Sequence, residues 1–292
     1  MEKAPVDFRQ QRDFGEVFNA TFTFIGQEIK PLGKVILLYV LPFLLVAAIL
    51  GVFVNIGQQK NMNLIRSGSP EFAENPFGML GTMYKYIFLL MIVYLAGLSA
   101  LRCAIYGYIK LYVVRGKGQF SQADVLNEIK KYILPVMGSS LLIGIMVGFG
   151  MLLCLVPGVW LGVSLSMIFI ALVFEGNGFS NAFNRSFSLT KLKWWLTLGI
   201  IIVAYLIVYM IAMFMSIPNM ILGFSSVFSS FKNLEEPAEI NFPLSFYIIS
   251  SITSLVTYIL CSIPYIALAF QYFSLVEMKE RPSLGDRIEQ IG

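Results

Sequence analysis

The run FEGNGFSNAFNRS, Phe174 to Ser186, gathers most of the side chains in this chain that can do chemistry. It ends 43 residues, Tyr132 to Phe174, that carry no charge. A carboxylate at Glu175 and a guanidinium at Arg185 flank Asn177, Ser180, Asn181 and Asn184, with Ser186 closing the run. Two chemistries suit this set. Arg185 can fold back onto Glu175, or it can reach a lipid phosphate. Asn181 and Asn184 can hold a partner's polar groups.

Other reactive sets are thin. The chain has no histidine, which removes the commonest acid–base residue and the commonest metal ligand. Cys103, Cys154 and Cys261 lie in apolar segments without CxxC spacing, so no metal site or disulfide framework is expected. There is no phosphate-binding glycine loop, no Ser or Cys nucleophile arrangement and no pair of carboxylates spaced for acid–base work. Glu235, Glu236 and Glu239 read as a solvated loop. No enzyme, cofactor or nucleic-acid partner is expected. Arg102 stands about 20 residues into an apolar stretch, either snorkelling to an interface or pairing with Glu175 at similar depth. Ser250, Thr253, Ser254, Thr257 and Cys261 recur at helical spacing. Such hydroxyls bond their own backbone or a neighbouring helix, or they line a polar cavity.

These residues are set in 292 residues of which 57% are hydrophobic and 13% charged. That charge content is about half that of a soluble domain. A crossing of the bilayer core takes about 20 apolar residues, and six such spans can be placed. They run over 35–56, with Pro42 as a kink, 84–103 with helix continuing to Val114, 133–155, 158–174, 194–216 or beyond Pro218, and from Leu244 past Pro264. The last, 37 residues from Ile240 to Val276 without a charge, reads as one kinked helix whose final turns lie at the interface. The whole is an all-α polytopic membrane domain, with an amphipathic segment over 1–34, a bundle over 35–278 and a tail over 279–292. No cleavable leader is expected at its start.

Lysine and arginine orient the spans. Sixteen fall on one side: Lys3, Arg9, Arg12, Lys30 and Lys34; Lys110, Arg115, Lys117, Lys130 and Lys131; Arg185, Lys191 and Lys193; and Lys279, Arg281 and Arg287. Lys60, Arg66, Lys85 and Lys232 fall on the other. Both termini are therefore expected inside. The outer loops would be Gly57–Thr82, the acidic loop near Glu235, and a bare turn at Pro157-Gly158. Ser140, Gly144 and Gly148 on one side of that turn, and Gly158, Gly162 and Ser166 on the other, recur at four-residue spacing. They offer small faces for close helix approach, within the hairpin or between two copies.

An amphipathic inner helix precedes each odd-numbered span. The first has an Asp13–Glu16 capping box and a stripe of Phe14, Val17, Phe18, Phe22, Ile25 and Ile29. The second starts at Ser121 with Val125, Leu126, Ile129 and Ile133. The third starts near Ser180, as its cap, with Phe179, Ala182, Phe183 and Phe187. The three read as copies of one unit, an interfacial helix followed by a two-span hairpin. They would lie in the headgroup plane or form a collar on the bundle. In the opening run, Glu175 comes about one crossing after Pro157, and Gly176 and Gly178 free the backbone to turn from span to surface helix.

The segment Pro157–Gly199 resembles the integral-membrane domain fused to some bacterial glycerophosphoryl diester phosphodiesterases, a domain that also occurs alone. The shared pattern is Pro157-Gly158, Glu175-Gly176, Ala182, Arg185-Ser186, Leu189 and Trp194. The resemblance implies a bacterial cytoplasmic membrane. It does not carry the phosphodiesterase activity, which belongs to a separate soluble barrel of about 250 residues. The expected role is a non-enzymatic scaffold or accessory module that binds membrane lipid or a protein partner through its inner face. The alternative is a transporter or lipid-handling protein with an intramembrane cavity.

Overall fold

The computed structural model describes residues 4–68, 76–231 and 241–280. Lys3, Lys232, Glu235, Glu236, Glu239, Arg281 and Arg287 lie outside the described residues. Among those described, the regular structure is helical. The helices are α1 (Phe14–Tyr39), α2 (Leu41–Arg66), α3 (Pro76–Arg115), α4 (Gln122–Leu153) and α5 (Leu155–Ser164), then α6 (Ile168–Glu175), α7 (Gly178–Thr190), α8 (Trp194–Phe231), α9 (Leu244–Leu260) and α10 (Ser262–Glu280). Six stretches are long and apolar enough to cross a membrane: α2, Tyr84–Arg115 of α3, α4, α5 with α6, Trp194–Ser229 of α8, and α9 with α10. Only 17% of the most apolar window of α8 is buried inside the protein. Its Met213, Phe214, Ile221 and Phe224 are exposed, a surface that a water-soluble monomer rarely carries and lipid solvates. The chain is a multi-pass membrane protein.

Local chemistry starts the helices where expected in two cases. Asp13 accepts from the Glu16 amide at 2.8 Å, and the Glu16 carboxylate accepts from the Asp13 amide at 2.9 Å. Ser121 and Asp124 repeat this reciprocal cap, with the Ser121 amide donating to Asp124 at 2.8 Å. Ser121→Ala should cost about 1 kcal/mol, read as a small loss in thermal midpoint. The third start differs: α7 begins at Gly178 after Asn177, and Ser180 lies inside it.

Span boundaries also move. The first span begins at Leu41, not Val35, because Val35 and Ile36 belong to the buried face of α1. Proline disfavours helical backbone in the residue before it, so Pro42 interrupts the helix just upstream, at Val40, and itself sits in the first turn of α2. The expected outer loop from Gly57 is shorter, since α2 runs to Arg66 and α3 starts at Pro76. The hairpin turn falls at Cys154, in extended backbone, and not at Pro157-Gly158. Those two lie in the first turn of α5, where a proline's missing N–H costs nothing.

The chain forms two compact units. The first comprises residues 1–41, 98–207 and 261–292. Its centre is α10, in which every residue from Ile263 to Leu275 is buried. The final turns of the last segment are therefore core and not an interfacial tail. Phe8 stacks on Phe270 at 4.2 Å, and Phe24 meets Tyr112 edge-on at 5.3 Å. The segment before α1, read as polar, is tied in as well: the Val6 amide donates to the Tyr112 hydroxyl at 3.0 Å and the Arg12 amide to Ser274 Oγ at 2.9 Å.

The second unit comprises 42–97 and 208–260. Tyr94 stacks on Tyr258 at 4.9 Å, and Leu44 packs against Gly97, where a Cβ would come within 3.1 Å of its Cδ2. α3 and α8 contribute residues to both units.

Candidate functional site

The opening run folds into a corner of the first unit. Gly176, at φ +67°, ends α6, and its amide donates to Leu172 O at 3.1 Å. A Cβ there would also meet the Tyr132 hydroxyl at 3.2 Å, so both conformation and space favour glycine. Gly178, at φ +79°, opens α7. The turn carries Arg185 back toward the end of α6. Its Nε donates to Glu175 Oε1 at 2.6 Å, and its Nη atoms engage both oxygens of Glu280, Nη2 at 3.0 Å. The Tyr272 hydroxyl donates to the same Glu175 oxygen at 2.7 Å. One guanidinium thus joins α6, α7 and the end of α10 by charge-assisted bonds, the strong kind.

Glu280, and after it Glu175, raises the Arg185 pKa above its ordinary value. A raised basic pKa contributes stability that is complete below the unfolded value and is lost only at still higher pH. The arginine is therefore no pH switch near neutrality.

Ser186 is fully buried, and its hydroxyl donates to Ser164 O at 2.7 Å. That carbonyl closes α5, just before the break at Leu165–Met167. Asn181 and Asn184 are exposed; the Asn181 side chain donates back to Asn177 O at 2.8 Å. The corner thus brings together Glu175, Gly176, Arg185 and Ser186, and turns Asn181 and Asn184 outward.

Arg102 is not part of it. In place of the Arg102–Glu175 pair offered as an alternative to snorkelling, the structure gives other partners: Arg102 Nη1 donates to Ser140 Oγ at 2.8 Å, and the guanidinium lies 4.3 Å from the Phe169 ring centre and 5.3 Å from that of Tyr265. Aromatic faces and one hydroxyl hold this cation, and no carboxylate among the described residues pairs with it.

The hydroxyl face of the second unit is mostly turned inward on itself. Ser254 donates to Ser250 O at 2.9 Å and Thr257 to Thr253 O at 2.8 Å, while Ser250 Oγ accepts from Asn219 at 2.6 Å. These are helix back-bonds and one helix–helix bond, the packing alternative stated above.

A second cluster went unread in the sequence. Glu28, 2% exposed, sits on the buried face of α1 with Val17, Thr21, Phe24 and Leu32. Its Oε2 accepts from the Tyr108 hydroxyl at 2.5 Å. Its Oε1 has no hydrogen-bond donor, and Lys117 Nζ stands 3.7 Å away. Around it lies a cavity of about 470 Å³ that Lys30, Lys34, Lys117, Phe120 and Gln27 also line. Gly116 and Gly118, both at positive φ, fold the α3–α4 loop so that Lys117 and Phe120 reach the cavity. The available signal was the spacing 17, 21, 24, 28, 32, which places a glutamate on a core face.

Among the described residues no three His, Cys, Asp or Glu side chains gather as a metal site. No known protein family, curated protein or solved structure matches the chain.

Proposed function

We propose that this protein is a non-enzymatic accessory module of a bacterial cytoplasmic membrane that binds lipid through its inner collar, with both termini inside. The observation that carries this reading is the double face of α1. One face packs into the core through Val17, Phe24 and Leu32. The neighbouring face leaves Phe14, Phe22 and Ile29 at 40%, 45% and 60% exposure. An apolar face left exposed beside a packed one is what an interfacial helix presents to acyl chains. The sixteen-to-four bias of basic residues supports the orientation, and the pattern from Pro157-Gly158 to Trp194 supports kinship with the phosphodiesterase-associated membrane domain. With Arg185 held by two carboxylates, α7 serves to fix the collar, and the lipid contact falls to α1.

Mass measurement of the intact protein released from native membrane patches tests this. The expected species carries bound phospholipid and no stoichiometric protein. A stoichiometric protein partner that dissociates on Asn184→Ala, with no retained lipid, would instead make α7 a protein-docking helix.

A further inference from the structure

The cavity beside Glu28 carries more positive charge than the protein itself answers. Lys30 and Lys34 line it from α1, and Lys117 lines it from the α3–α4 loop. That loop is pinned, since Phe120 meets Tyr108 edge-on at 4.9 Å. The nearby carboxylates already have partners. Glu28 is buried and faces Lys117 at 3.7 Å, Asp124 pairs with Arg115 at 3.1 Å, and Glu128 pairs with Lys110 at 2.9 Å. Lys30 and Lys34 pair with no carboxylate among the described residues. They stand four residues apart, so they share a helix face and repel each other. An anion between them removes that cost.

The rest of the wall indicates what kind of anion. Pro31, Val35, Phe120 and Val125 make it partly apolar. One turn beyond Lys34, Leu37 and Leu38 are exposed. The first span then opens at Leu41, about 10 Å of helix rise from Lys34. Lysines, exposed leucines and a span follow in the order in which a lipid presents its phosphate and its acyl chains. The cavity, about 470 Å³, is in the range of small-ligand sites. A headgroup with an ammonium would bring another cation to a wall of lysines, whereas a glycerol headgroup brings none.

We infer that this cavity is a phosphate site that selects anionic phospholipid headgroups, with Lys30 and Lys34 holding the phosphate. This rests on the lipid-binding reading above and adds headgroup selectivity to it. Free phosphate is the soluble source of the same chemistry.

The full chain is placed in nanodiscs of equal phosphatidylglycerol and phosphatidylcholine, and retained lipids are counted by native mass spectrometry. Inorganic phosphate is titrated onto the detergent-solubilised protein in a parallel arm. The wild type should retain phosphatidylglycerol about tenfold over phosphatidylcholine, the scale of two basic residues acting at a headgroup. The double variant Lys30→Gln, Lys34→Gln, at two exposed positions, should erase that preference. Lys130→Gln, at an exposed lysine off the cavity wall, should leave it intact. Inorganic phosphate bound by the wild type and lost in the double variant, without a lipid preference, assigns the site to the soluble source and keeps the inference. A preference that survives the double variant, or that Lys130→Gln lowers as much, arises from diffuse charge. That result overturns the inference and leaves the lipid-binding reading intact. Equal retention of the two lipids with no bound phosphate does the same. No retained lipid and no bound phosphate overturns both.

Discussion

Gly158→Val is expected to lower the thermal midpoint of the detergent-solubilised protein by roughly 8 °C, corresponding to about 3 kcal/mol of overpacking in a chain of this size. A Cβ at Gly158 would stand 2.8 Å from the Met151 backbone nitrogen, and one at Gly150 would stand 2.9 Å from Gly158 Cα. The α4–α5 hairpin therefore closes backbone on backbone at this pair, with no space for a side chain. In an apolar solvent the gain from such contact is dispersion between closely approaching helices, which a single methyl abolishes. Of the small residues that sequence spacing suggested, Gly158 lies in this close contact, while Gly144 and Gly148 have nothing within 4 Å of a built Cβ. Gly144→Ala and Gly148→Ala should leave the midpoint unchanged. The reverse result, a tolerant Gly158 and damaging Gly144 or Gly148, would mean that the hairpin closes along the other stripe.

The second large effect belongs to Arg185. Arg185→Gln strands Glu175 and Glu280, which it bridges. Removing one partner of a fully buried ion pair costs about 3–5 kcal/mol; here Glu280 is half-exposed and water relieves it, so about 2 kcal/mol is expected. The double variant Arg185→Gln, Glu175→Gln should recover part of that loss, since the stranded charge is gone. Glu280→Gln alone should cost under about 1 kcal/mol. Thermal unfolding of the wild type, Arg185→Gln, Glu175→Gln and their double variant supplies the coupling. Exchanging the charges of Arg102 and Glu175 should bring no rescue, because Arg102 is held by Ser140, Phe169 and Tyr265. Rescue by that exchange would contradict the corner described here.

What was legible in the sequence was what depends on near neighbours. The caps at Asp13 and Ser121 form within four residues, and their side chains announce them. The glycine corner at Gly176 and the continuation of α8 past Pro218 are local as well. Helix faces were harder to read. Phe14, Phe22 and Ile29 are larger and more apolar than Thr21 and Glu28, so hydropathy picked out the exposed face of α1 and gave no sign of the buried one. Glu28 is accepted in the core because Tyr108, eighty residues away, donates to it, and no spacing rule contains that bond. The same blindness hid the role of α10. Lipid and protein interior are both apolar, so an uncharged run does not say which of them surrounds it. Ser274 and Gln271, polar and buried on that run, were the signals: Ser274 bonds Arg12 and Gln271 bonds Thr197.

The two faces of α1 are the centre of the account, and a depth scan by spin labelling tests them most directly. Single cysteines at Asn19, Phe22, Phe24 and Ile29, in a chain with Cys103, Cys154 and Cys261 replaced, are labelled in lipid nanodiscs and exposed to oxygen and to a water-soluble nickel chelate. Labels at 22 and 29 should collide with oxygen and not with nickel, the label at 24 with neither, and the label at 19 with nickel. Nickel collisions at 22 and 29 equal to those at 19 would place that face in water and contradict the lipid-binding collar.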